Sequence, residues 1–201
     1  MPTITILESG ATLTDLVSRT LPPALVRLVP SGEGTDLLVL APTPGTRPPK
    51  PPVCRVLLTP ERLGVGWTVP AAVSYGSSPR DTLTFSSLDG PGMVLSLQRE
   101  VVTLDGRRVD RQEIPLPVRG DLLTTLAWAG TLLLAGVSPG DLPRLSGSLF
   151  HQGPDALGPA PGLLSVTEEE GAKAGVGHRL RSGQTDRRRL LLPPEETAQR
   201  P

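Results

Sequence analysis

Thr3–Leu7 alternates threonine with isoleucine, the period of two that suits a short strand. After the Ser9-Gly10 turn, Leu13, Leu16, Val17 and Leu21 recur at helical spacing. Thr12 or Thr14 is the candidate cap of that helix, and Pro22-Pro23 its stop. Residues 25–29 form a possible second strand. Residues 36–41 and 54–59 are near-continuous apolar runs bounded by turn residues, as in strands covered on both faces of a parallel sheet. Between them, residues 43–52 are a stiff proline-rich connector expected at the surface.

Residues 68–75 predict a further strand ending at Gly76, followed by a turn over 77–81. Residues 82–87 alternate again, with Leu83 and Phe85 on one face. Residues 93–104 and 108–116 predict a hairpin joined by Asp105-Gly106, a signal for a primed turn. Residues 122–135 predict the main helix, capped by Asp121 and ended by Gly136, and Ser138-Pro139 starts a helical turn through Leu142. Beyond about residue 144 the period is lost, and residues 146–201 read as a disordered Gly-, Pro- and charge-rich tail. The order predicts one α/β domain over residues 1–145, a mostly parallel sheet flanked by helices and extended by an antiparallel hairpin.

Composition narrows the chemistry. The chain holds 22 Gly and 24 Pro but only two Trp, one Tyr and two Phe, so Leu, Val, Ile and Ala must fill its core. Lys plus Arg and Asp plus Glu both number 20, so no global field points to nucleic acid or anionic lipid. Arg187 to Arg189, with Asp186 and Glu195-Glu196 nearby, read as plain tail. The longest uncharged apolar run, residues 122–137, is shorter than the ~20 residues a membrane span needs. Cys54 is the only cysteine, which excludes an intramolecular disulfide and fits a cytoplasmic protein. It reads as a structural thiol, because Arg55 points to the other face of the strand. His151 and His178 are too isolated for a metal site.

Three segments, in order and spacing, resemble the central domain of the Mur ligases. They are residues 3–21 at the place of the phosphate-loop strand and helix, Tyr75-Gly76 with the alternating strand after it, and Leu116-Pro117 through Leu142. That family joins an amino acid to a carboxylate with ATP, so the resemblance implies an α/β fold and an ancestral nucleotide site. The departures imply that the chemistry is gone. The family's phosphate-loop lysine aligns with Ala11, and Glu8 adds a negative charge beside the phosphate position. The family's His-Asn at the long helix is Gly120-Asp121, and its next Asn is Thr124. The magnesium and carbamylated-lysine loops are not recognisable, and a tail replaces the amino-acid-binding domain.

No catalytic or metal-ligating residue and no cofactor follows from this reading. Ser9, Gly10 and Thr12, the degenerate phosphate-loop position, are the only candidate ligand contacts. Two functions stand open. One is an inactive Mur-ligase-like scaffold with a protein partner, linked through the resemblance to cell-envelope synthesis. The other is a reduced nucleotide- or phospholigand-binding protein or enzyme using the helix terminus at Gly10. Trp67, in a glycine-rich loop, is a candidate contact residue. Gln98 to Glu100 and Asp110 to Glu113 are either a solvated face with cross-strand ion pairs or a polar recognition patch.

Overall fold

The computed structural model describes residues 1–30, 34–45, 53–61, 67–90, 92–117 and 121–150. They form an α/β unit built on one sheet. In chain order the elements are β1 (Thr3–Leu7), α1 (Thr12–Thr20), β2 (Arg27–Leu28), β3 (Thr35–Leu40), β4 (Cys54–Pro60) and β5 (Ala71–Tyr75). There follow β6 (Leu83–Asp89), β7 (Gly92–Leu97), β8 (Val101–Val102), β9 (Arg108–Val109), β10 (Gln112–Leu116), α2 (Leu122–Leu134) and α3 (Leu142–Phe150).

The eight-stranded sheet has the order β10-β7-β6-β5-β4-β3-β1-β2. β1 to β6 run parallel, β7 runs against them, and β10 returns to the common direction. The expected mostly parallel sheet with an antiparallel extension is therefore the fold. β8 and β9 pair separately as a small ribbon.

α2 anchors the main core. It is buried on all sides from Thr125 to Leu134, which is why its sequence is apolar without a polar face. Each buried leucine contributes about 1.5–3 kcal/mol. A side chain at Gly130 would meet Leu58 and Leu83 at 3.1 Å, so glycine lets the helix lie directly on β4 and β6. Trp128 is 1% exposed, and its Nε1–H donates to Thr20 Oγ1 at 2.9 Å, pinning α2 to α1. At the start of α2, Asp121 Oδ2 accepts from the Thr124 N–H at 2.7 Å. At its end the Val137 N–H donates to Leu132 C=O and the Gly136 N–H to Leu133 C=O, a Schellman stop at the positive φ of Gly136.

The other sheet face carries a smaller cluster of Leu38, Leu40, Cys54 and Leu57, against which Trp67 packs half-buried. Trp67 thus covers part of this face while staying partly exposed. Burial pushes the Cys54 thiol pKa up and keeps it protonated, in line with a structural role.

Several boundaries differ from the sequence expectation. β2 is only two residues, and β5 starts at Ala71, after Pro70. β6 runs on to Asp89 and turns through Gly90, at φ 53°, into β7, a hairpin the alternation does not reveal. The predicted hairpin pairs β7 with β10 and then breaks before the β8–β9 tip. That tip is not a two-residue primed turn. Thr103 N–H donates to Arg107 C=O, and Gly106 at φ 85° ends a three-residue loop. Glu100 pairs with Arg108 at 3.2 Å, not with residues 110–113. α3 carries helical structure past the expected boundary at residue 145 to Phe150. The predicted tail beyond it, with both histidines and the Arg187 cluster, lies outside the described residues, as do most of the 43–52 connector and Gly120.

Candidate functional site

The chain leaves β1 for β2 on one side and then returns to β3 on the other. β1 and β3 therefore flank the switch point, outside whose carboxyl ends open α/β sheets bind ligands. Ser9, Gly10 and Thr12 all lie there, in the β1–α1 loop and the first turn of α1, and all three are exposed. Tyr75-Gly76 at the end of β5 and the amino terminus of α2 reach the same edge. Tyr75 Oη donates to Leu40 C=O at 2.6 Å, and burial, aided by the charge of Asp121, raises the phenol pKa far enough to keep it neutral.

The crevice is filled by the chain itself. The α1 cap position is Ala11, which has no capping side chain. Glu8 supplies the cap instead of Thr12 or Thr14. Its Oε2 accepts from the Leu13 N–H and its Oε1 from the Thr14 N–H, each at 2.9 Å. The helix-end dipole favours a negative group at this point, so the carboxylate stabilises α1 by about 1–2 kcal/mol. The same two amides would face a phosphate in a phosphate loop. A phosphate must displace Glu8 and still lie beside its charge. Like charges ~4 Å apart repel by about 1 kcal/mol in water and about 4 kcal/mol near a protein surface.

The segment after β3 closes the remaining space. The Ser9 N–H donates to Thr43 C=O at 2.9 Å, and a Cβ on Gly45 would lie 2.7 Å from the Glu8 carbonyl oxygen. A Cβ on Gly10, in contrast, would meet nothing within 4 Å.

A second acidic group at this edge went unread in the sequence. Asp81 is 1% exposed; its Oδ2 accepts from the Ser78 N–H at 3.2 Å, and its Oδ1 has no hydrogen-bond partner. A Cβ on Gly76 would fall 2.5 Å from Asp81 Oδ2, which explains why glycine follows Tyr75. The readable signal was the spacing Ser78-x-x-Asp81, in which the carboxylate returns to the turn amide.

The edge thus carries carboxylates, neutral hydroxyls and, in the 77–81 turn, the exposed Arg80. The sequence has two lysines, Lys50 and Lys173, and neither they nor the two histidines fall among the described residues. Among the described residues no three His, Cys, Asp or Glu side chains could hold a metal ion, and no helix is long and apolar enough to cross a membrane. No protein-family model matches the chain, and no curated protein matches its sequence.

Proposed function

We propose that this protein is a catalytically inactive α/β module that works by binding a protein partner, a scaffold descended from a Mur-ligase-like central domain. One observation carries the reading. The amides that would hold a nucleotide phosphate are bonded to Glu8, and residues 43–45 pack into the crevice beside them. The three segments that resemble Mur ligases meet at one sheet edge, which favours the family reading and, with it, a cytoplasmic role near cell-envelope synthesis. Fold alone does not fix that role. The alternative, a phospholigand site at Ser9, Gly10 and Thr12, has the open space at Gly10 in its favour and the charge of Glu8 against it.

A thermal-shift titration of the full chain separates the two. ATP, ADP and UDP-sugars, with and without magnesium, should leave the melting temperature unchanged at millimolar concentration. A site filled a hundredfold above its Kd would add about 2.7 kcal/mol of stability. A saturable shift would overturn the scaffold reading.

A further inference from the structure

The sheet contains a strand position that no strand among the described residues fills. β5 pairs with β4 over its whole length, residues 71–75 against residues 56–60. On its other side β5 meets β6 only where Tyr75 pairs with Leu83. β6 begins where β5 ends, so the two are staggered past each other. Two bonds fasten the crossing: Gly76 N–H to Leu83 C=O at 3.0 Å, and Thr82 N–H to Ser74 Oγ at 3.1 Å.

Below the crossing a cleft of about 500 Å³ opens between β5 and residues 99–104. Pro70, Ala71 and Ala72 form one wall, and Arg99, Val102 and Leu104 the other. Ala71 and Ala72 are exposed although β5 lies fourth in a sheet of eight. Interior strands of such sheets are normally paired on both sides. Alternate residues of a strand turn their N–H and C=O groups to opposite edges, and the Gly76 N–H to Leu83 C=O bond sets the even-numbered residues toward β6, so Ala72 presents its N–H and C=O to this cleft with no backbone partner among the described residues.

The chemistry of the cleft selects an occupant. Unpaired strand groups take an extended backbone. The small side chains of Ala71 and Ala72 leave room beside β5, and Val102, 51% exposed, offers an apolar contact. Arg55 on the rim is tied to Asp36 at 3.3 Å, and Glu100 to Arg108 at 3.2 Å. Arg99 has no ion-pair partner among the described residues and leaves the rim positive. At ~3.3 Å per residue, the free edge of β5 takes about three residues.

The geometry points to a peptide slot in which an extended acidic segment of a partner protein adds as a strand to β5 at residues 71–73, with its carboxylate at Arg99. The inference rests on the reading of this chain as a binding module and names the surface and the partner's chemistry.

Full-length protein titrated with a fluorescein-labelled acetyl-Val-Thr-Val-Glu-Glu peptide tests it. Fluorescence anisotropy should show saturable binding. The peptide N-methylated along its backbone and its Lys-Lys counterpart should each bind at least about tenfold more weakly. Arg99→Glu, at an exposed site, should reverse the charge preference. The outward amide of Ala72 should exchange freely in the free protein and gain protection in the complex. Equal binding of the Lys-Lys peptide, indifference to N-methylation, or no binding at millimolar peptide overturns the slot. So does prior protection of that amide, because the chain's own segments would then cover the edge. If the slot fails while nucleotides still give no thermal shift, the binding-module reading stands. If nucleotides shift the melting temperature and peptide binding keeps its charge dependence, that reading fails and the slot stands.

Discussion

The two ends of the parallel strands are finished in opposite ways. At the carboxyl end, where α/β sheets usually take their ligands, the chain's own groups occupy the crevice and only Asp81 Oδ1 is left buried without a partner among the described residues. Glu8 caps α1, residues 43–45 fill the switch point, and Tyr75 reaches Leu40. At the amino end of β5, an interior strand is left half unpaired beside a cleft. The sheet's stagger leaves accessible backbone away from the carboxyl-end edge, where open α/β sheets take their ligands.

The amino termini of α1 and α2 reach the carboxyl end, and the largest expected effect comes from breaking the bond between these helices with Trp128→Ala. The change removes a buried aromatic and its bond to Thr20, so a loss of about 3–5 kcal/mol is expected in urea unfolding. Hydrogen exchange should show α1 losing protection first. If α1 stays as protected as in the wild type, the pin between α1 and α2 is not what holds α1 in place.

Gly76→Ala is the next largest. The added methyl meets the buried Asp81 carboxylate at 2.5 Å, and Asp81 is confined by its turn. A loss of about 1–3 kcal/mol is expected, read by thermal denaturation. An unchanged melting temperature would mean that the Asp81 turn is free to give way.

Glu8→Ala follows. Two helix amides lose their acceptor, and a loss of about 1–2 kcal/mol is expected. The variant also sharpens the functional contrast. If Glu8 is what excludes anions, inorganic phosphate should stabilise the variant and not the wild type. Equal behaviour of the two toward phosphate would show that the crevice is closed by residues 43–45 alone.

These residues also mark the limit of what the sequence revealed. β1, β3, β4 and α2 were legible because alternation, continuous apolar runs and a cap–glycine pair are local signals. The β6–β7 turn was not, because the register shift between Phe85 and Ser87 breaks the alternation before Gly90. α3 was missed because Ser146-Gly147-Ser148 is poor helix sequence, and packing of Leu142, Leu145 and Leu149 holds it. Glu8 was read only as a charge hostile to phosphate; a cap reaching forward five and six residues lies outside the usual Ncap pattern. The cleft beside β5 depends on which strand pairs with which and over what length, and no local window contains that.

The smallest effect tests the amino end where it is closed. Asp36 Oδ2 accepts from the Thr3 N–H at 2.9 Å, and Oδ1 from Arg55 Nη1 at 3.3 Å, joining β1, β3 and β4 at their starts. The Thr3 backbone hydrogen bond, with help from Arg55, holds the Asp36 carboxyl pKa below its ordinary value against the opposing effect of partial burial. A depressed folded pKa means that the unfolded chain binds the proton first as pH falls. The stabilisation is therefore fully present above the unfolded value of about 3.9 and is lost as pH drops through the lower folded value. Asp36→Asn should cost roughly 0.5–1 kcal/mol at neutral pH, a modest figure because Arg55 is largely exposed. The gap between wild type and variant should hold steady down to about pH 5 and close below pH 4. A gap independent of pH would assign the loss to amide geometry instead of charge. The clasp beneath β1, β3 and β4 would then differ from the open edge of β5 in packing alone.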